Sequence, residues 1–156
     1  MKALIFSDTH GKINSAIKII EQHKQVDVII HLGDLIKDAR DIQSIFKDIK
    51  VEFIAGNNDL FSNVPNEKTI NLGTKKVFIA HGHTYRVKYG LDEIIKKGNE
   101  LGADGVLFGH THCTYENIIE NALYLNPGSL TFPCRGPSYG LIEVIDNKMY
   151  SMICNV

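Results

Sequence analysis

Five short stretches of this sequence pair metal-binding side chains with glycine or another turn residue: Ser7-Asp8-Thr9-His10, Gly33-Asp34, Gly56-Asn57-Asn58-Asp59, His81-Gly82-His83 and Gly109-His110-Thr111-His112. Five of the seven histidines fall in these stretches. Histidine is the commonest metal ligand. In extended backbone, residues two apart project to the same side, so Asp8 with His10, or His110 with His112, can aim at one ion. Singly, the stretches carry little weight. Asp8-x-His10 reads as a turn aspartate beside a surface histidine, and any strand can end in Gly-Asp. Asn and Asp are ordinary turn formers. Paired histidines directly after an apolar run, beside a glycine, have less structural use. Together the five stretches are far more specific than any one of them.

The donor chemistry narrows the metal. The candidates are Asp8, His10, Asp34, Asn57, His81, His110 and His112, which offer imidazole, carboxylate and amide oxygen but no thiolate. That set suits Mn, Fe, Zn, Co or Ni. Calcium or magnesium alone would not need so many histidines. One ion with an open coordination position does not need seven protein donors, whereas two ions sharing a carboxylate do. Asp34, with no ligating partner in its own stretch, is the candidate bridge.

The stretches need a scaffold that brings them together, and the apolar runs before them supply one. Ala3–Phe6, Val26–Leu32, Val51–Ala55, Lys76–Ala80 and Gly105–Phe108 each read as a strand. Helical periodicity covers Ile13 to Lys24, a second stripe of Ile42, Ile45, Phe46 and Ile49, and a helix from Leu91 to Leu101. Alternating strands and helices in the first third imply parallel strands joined by right-handed crossovers. Thr69–Leu72 and Lys76–Ala80 form a hairpin around Gly73-Thr74. The region from Tyr115 to Cys154 reads as short strands broken at Glu120-Asn121, Pro127-Gly128 and Asp146-Asn147. The expected architecture is one domain over residues 1–156, two β-sheets packed together with helices outside. Each polar stretch then sits past the C-terminal end of a strand, where open α/β sheets bind ligands.

Bulk properties exclude several alternatives. The chain has 156 residues, 17 basic and 18 acidic, for a net charge of -1. That balance does not favour long nucleic acid or an anionic membrane. Only Arg40, Arg86 and Arg135 carry guanidinium groups. No apolar run approaches membrane-spanning length, and the N-terminal run is too short for a signal peptide. Cys113, Cys134 and Cys154 have no metal-type spacing, and their odd number argues against a disulfide framework. A reducing cytoplasm is the expected location.

Asp8-x-His10, Gly33-Asp34, Gly56-Asn57-x-Asp59, His81-Gly82-His83 and Gly109-His110-x-His112, in this order, resemble the calcineurin-like metallophosphoesterases. The short length and Asn126-Pro127-Gly128-Ser129 are similar to the small bacterial and archaeal phosphodiesterase branch. The resemblance runs from Met1 to about Pro133. It implies a four-layer α/β/β/α sandwich. It further implies Asp8, His10, Asp34 and His112 around one metal, and Asp34, Asn57, His81 and His110 around the other. His83, His31 and Asp59 would then be supporting groups, and for His31 a satisfied core histidine is the simpler account. The implied cofactors are two divalent transition-metal ions, manganese first, with Ni, Zn, Fe or Co compatible.

One position departs from the family pattern. Many relatives carry histidine directly after the metal-binding asparagine, and some small phosphodiesterases carry cysteine; here the residue is Asn58. Asparagine can donate a hydrogen bond to a phosphoryl oxygen but cannot deliver a proton at neutral pH. Asn58 and His83 are therefore the candidate catalytic side chains, with His83 the alternative acid. The expected reaction is hydrolysis of a small phosphate ester, most readily a phosphodiester, by a metal-bound hydroxide. Self-association is left open. The rival expectation is a protein-interaction scaffold of the same fold, like the retromer subunit that resembles this family. Such scaffolds typically lose part of the ligand set, which this sequence keeps whole.

Overall fold

Alternation along the strands decides the layering. The computed structural model describes all 156 residues. In β1 (Lys2–Phe6), Ala3 and Ile5 join one apolar cluster while Leu4 and Phe6 join another. Successive strand residues point to opposite faces, so a strand buried on both faces must be apolar throughout. β2 (Val28–His31) divides in the same way, with Val28 and Ile30 on one side and Ile29 on the other.

The remaining elements follow in order. α1 (Ile13–Gln22) joins β1 to β2, and α2 (Ile36–Ile45) joins β2 to β3 (Lys50–Phe53). Then come β4 (Glu67–Leu72), β5 (Lys75–Ala80), a 3-10 turn at His83–Tyr85, α3 (Asp92–Leu101), β6 (Gly105–Phe108), β7 (Thr114–Ile119), β8 (Ala122–Pro127), β9 (Ser138–Ile145) and β10 (Lys148–Asn155). They build two five-stranded sheets, ordered β10-β9-β1-β2-β3 and β4-β5-β6-β8-β7.

Three apolar clusters separate four layers. Ala3, Ile5, Ile30, Ile54, Ile79, Leu107 and Leu125 belong to the cluster between the sheets. Leu4, Phe6 and Ile29 pack with Ala16, Ile19 and Ile20 of α1 and Ile42 of α2. Phe78, Val106, Phe108 and Tyr124 pack with Ile94 of α3. The result is the expected α/β/β/α sandwich.

This layering puts the polar stretches together. β1, β2 and β3 run parallel, as do β5 and β6, so their C-terminal ends share an edge within each sheet. The ladders continue into the polar stretches: Asp8 N–H donates to Gly33 O at 3.1 Å, and Gly109 N–H donates to His81 O at 3.1 Å. Between the sheets, His110 N–H reaches the Asp8 carboxylate at 3.0 Å.

Several boundaries differ from the sequence expectation. α2 begins at Ile36, ahead of its apolar stripe, because Asp59 from a distant turn accepts the Ile36 N–H at 2.8 Å. Such remote capping leaves no local signal. Phe46 and Ile49 lie past the helix end but still pack against the outer cluster. β9 and β10 are eight residues each, longer than expected, and they return to the first sheet beside β1. The cysteine expectation needs a correction: Cys113 and Cys134 are disulfide-bonded with Cα atoms 5.0 Å apart, and Cys154 is free. The odd count excluded full pairing but not one bridge. The fold brings these two together by laying the 130–137 segment against the His110–His112 turn.

Candidate metal centre

Asp8 follows the last residue of β1 by one residue, and its side chain is fully buried. Its Oδ2 is well used: it accepts the Ser7 hydroxyl at 2.5 Å and the His110 N–H at 3.0 Å. Its Oδ1 is buried and accepts no hydrogen bond. A buried carboxylate oxygen without a partner is costly unless a cation compensates it.

The groups facing that oxygen are acceptors too. His81 is also fully buried, and its Nδ1 sits 2.7 Å from Leu32 O. A carbonyl accepts only, so Nδ1 carries the hydrogen and Nε2 presents a lone pair. That Nε2 faces Asp8 Oδ1 at 3.9 Å, Asp34 Oδ1 at 3.7 Å and Asn57 Oδ1 at 3.1 Å. His112 is held the same way, Nδ1 against Phe132 O at 3.1 Å and Nε2 at 3.2 Å from Asp8 Oδ1. A carbonyl on the far ring nitrogen is the usual support of a metal-binding histidine. His10 adds a buried Nε2 with no partner. Two donor groups of metal-binding size result: Asp8, His10 and His112, and Asp8, Asp34 and His81, each with ligand atoms within 4.8 Å of one another. The orphaned atoms and converging lone pairs fit divalent cations.

The other candidates surround these groups. The His110 ring lies 5.1 Å from His81 and 6.0 Å from His83, centroid to centroid. His83 is half-buried with an unpartnered Nδ1. Asn58 is exposed, yet it is tied to Asp34: its N–H donates to Oδ1 at 3.0 Å and its side-chain amide to Oδ2 at 2.7 Å. The expectation aimed that amide at substrate; here it holds the carboxylate of Asp34, a candidate ligand. Asp34, the expected bridge, falls in one donor group, and Asp8 is the carboxylate common to both.

The backbone is bent to make this possible. Asp8, His10, Asp34, His110 and His112 all have left-handed φ, between 42° and 67°. Non-glycine residues avoid that region at about 1–2 kcal/mol each. Close-packed glycines make room for the turns. A Cβ on Gly56 would land on the Asp34 carboxylate and 2.6 Å from Asp34 N. One on Gly33 would lie 2.9 Å from His81 Nδ1, and one on Gly109 would lie 2.9 Å from Asp8 Oδ2.

A supporting ring holds these turns. Asp59 accepts the N–H groups of Asp34, Ile36 and Gly56. Thr9 bonds His31 Nε2 at 2.9 Å and donates to Asp38 at 2.6 Å. Ser129 donates to Asp8 O at 2.7 Å, and Asn126 donates to Gly109 O at 2.9 Å. Phe132 packs against the His10 and His112 rings. Asp38 and Phe132 had no sequence signal: Asp38 reads as one more polar helix residue, yet it is buried and also accepts the Gly11 N–H at 2.7 Å.

Electrostatics follow burial. Burial pushes the Asp8 carboxyl up, but His112, His81 and the Ser7 hydroxyl outweigh it and hold it below the ordinary value. The Asp8 carboxylate raises His112 through their close contact. Burial, then His81 and Lys88, push His110 down to about 4. Burial also drives His31 down to about 4, against the pull of Asp38, Asp8 and Asp59.

With this geometry in hand, known proteins offer a comparison. Residues 1–147 match the model of the calcineurin-like phosphoesterase superfamily domain. A probable metallophosphoesterase of Bacillus subtilis is 32% identical over 147 residues, 92% of this chain and 85% of the relative. A phosphodiesterase of Methanocaldococcus jannaschii is 30% identical over 172 aligned positions, 98% of each chain. Among solved structures, a predicted phosphoesterase of Streptococcus pneumoniae superposes with a TM-score of 0.83 at 23% identity, covering 99% of this chain and 88% of that one. The zinc complex of Entamoeba histolytica Vps29 superposes with a TM-score of 0.76 at 19% identity and 99% coverage of both.

Two expectations follow. Gly56→Ala should lower manganese affinity more than about tenfold by displacing Asp34, read by titration calorimetry. Gly136→Ala is the control, because its Cβ meets nothing within 4 Å; equal affinities in the two variants would contradict the packing argument. The second concerns pH. His31 goes from an ordinary value of 6.5 to about 4 on folding. As pH falls through that window the unfolded chain binds a proton that the folded chain refuses, so the stability present above pH 6.5 is progressively lost toward pH 4. Metal-free thermal melts should show this loss, and His31→Gln should show a smaller one; an unchanged slope would count against His31.

Proposed function

Because the chain belongs to the calcineurin-like phosphoesterase superfamily, we propose that it is a binuclear metal-dependent phosphodiesterase, one domain acting on small phosphate esters in the cytoplasm. The observation that carries the reading is Asp8 Oδ1: buried, without a hydrogen bond, and common to both donor groups.

In this reading Asp34, which falls in one of the two donor groups, is nonetheless the shared carboxylate once ions are bound: Asp8, His10, Asp34 and His112 would hold one ion, and Asp34, Asn57, His81 and His110 the other, with manganese the first choice. Divalent ions there would bring the pKa of bound water toward about 7 and balance charge building on the phosphoryl oxygens. The protein's own residues do the rest. Leu32 and Phe132 carbonyls fix the ring orientations of His81 and His112, so that both Nε2 atoms face inward. Asn58 positions Asp34 through two hydrogen bonds and carries no proton to give. His83, half-buried beside His81 and His110 with Nδ1 free, is the side chain placed to serve a leaving oxygen.

The cytoplasmic setting is part of the proposal. No helix is long and apolar enough to cross a membrane. In a reducing compartment the Cys113–Cys134 bridge would face thiol exchange. The Vps29-type scaffold reading is disfavoured by the sequence, which keeps all seven candidate donors, and by the phosphodiesterase relative.

The test is turnover by the manganese-loaded protein on bis(p-nitrophenyl) phosphate, p-nitrophenyl phosphate and alkyl monoesters. Aryl diesters should be cleaved fastest, because a phenolate leaves without a proton while an alkoxide needs one. General acid catalysis is typically worth about 10²–10⁴-fold. Asn58→His should therefore gain more on alkyl than on aryl esters. A loaded protein with no turnover would return the scaffold reading. Alkyl monoester rates matching aryl diester rates would show that an acid already operates, with His83 the first to test by substitution.

A further inference from the structure

A groove of about 580 Å³ lies between the first turns of α2 and the turn after β3, lined at one point by Asn58, which bonds Asp34. Lys37 and Arg40 line it from α2, and Leu60 and Phe61 line it from the turn. Its two kinds of wall suit two kinds of ligand group.

Phe61 is the most unusual side chain on the surface. Its ring is fully exposed, at 101% of the reference value, and Leu60 beside it is 74% exposed. Its backbone sits at φ 59°, where a bulky residue is rarely found. The turn that holds it there is anchored by Asp59, whose carboxylate accepts the N–H groups of Asp34 and Gly56 and whose carbonyl accepts Ser62 N–H at 3.3 Å. The residue that fixes the metal-ligating Asp34 thus also fixes the presentation of Phe61. An apolar ring held in water at an active-site rim gains nothing for folding.

Arg40 supplies the second element. Lys37 is paired with Asp41, whereas Arg40 is exposed and forms no ion pair. A guanidinium fork matches a phosphate better than an ammonium does. The chain has only three arginines, and this one stands in the groove with an exposed aromatic ring. The groove beside His112 also contains Arg135, but the ring next to it, Phe132, is already packed against His10 and His112, whereas Phe61 has its whole ring free.

Resting on the phosphodiesterase reading above, we propose that this groove takes the retained arm of a nucleotide-type phosphodiester, its base on Phe61 and a second phosphate on Arg40. The arm enters past Asn58, and the scissile phosphate lies over the metal centre. Stacking of one base on an aromatic side chain commonly changes affinity about tenfold or more.

Three manganese-dependent substrates with the same p-nitrophenolate leaving group isolate the arm: methyl p-nitrophenyl phosphate, thymidine 5′-(p-nitrophenyl phosphate), and the same thymidine ester with a 3′-phosphate. For the wild type, kcat/KM should rise along the series, about tenfold at each step. Phe61→Ala should collapse the thymidine-over-methyl ratio. Arg40→Ala should collapse the further gain from the 3′-phosphate. Metal content by elemental analysis should match the wild type in both. An active wild type with a flat series overturns this inference alone, as does either variant lowering all three substrates in proportion. A loaded wild type that cleaves none of them overturns the phosphodiesterase reading and this inference with it.

Discussion

The centre of this molecule is a carboxylate oxygen that the protein itself leaves unsatisfied. Asp8 Oδ1 is buried and accepts no hydrogen bond, and the Nε2 atoms of His112 and His81 face it at 3.2 and 3.9 Å. Elsewhere around the site the chain takes care to satisfy its polar atoms. Asp59 accepts three backbone N–H groups, and Asp38 pairs with Thr9 and Gly11. A bare carboxylate oxygen, with unpartnered ring nitrogens of His10 and His83 around the same site, stands out against that network and would be stabilised by positive charge. The same carboxylate raises His112 through their close contact.

Much of the architecture exists to bring acceptors together against their mutual repulsion. Parallel strands deliver the polar turns to one edge, and each turn then adopts a backbone that its residue would not choose. Five donors sit at positive φ. Their cost is offset by the three apolar clusters and by close-packed glycines, Gly33 against His81, Gly56 against Asp34 and Gly109 against Asp8. Strain of this kind gathers at functional sites because only a rigid surround can hold it.

The site was unusually legible in the sequence, and for a physical reason. Donors follow apolar strands with at most one residue between, so Asp8, His81 and His110 could be placed once β1, β5 and β6 were recognised. The strand pattern was clear because strands buried on both faces read as unbroken apolar runs. What escaped depends on contacts distant in sequence. Asp59 caps α2 across a turn, Phe132 packs on His10 and His112 from a late loop, and Cys134 reaches Cys113 only because that loop folds back. The aim of the Asn58 side chain was also beyond sequence: residue type specified an amide but not that Asp34 would take both of its hydrogen bonds.

The account turns on two ions per chain with Asp34 between them, so metal counting tests it most directly. After reconstitution with manganese and removal of excess, elemental analysis of the wild type should approach two equivalents. His112→Ala should fall to about one, since it touches a single site, and Asp34→Ala should fall below one. A wild type that saturates at one ion while fully folded, or an Asp34→Ala protein that retains two, would contradict it.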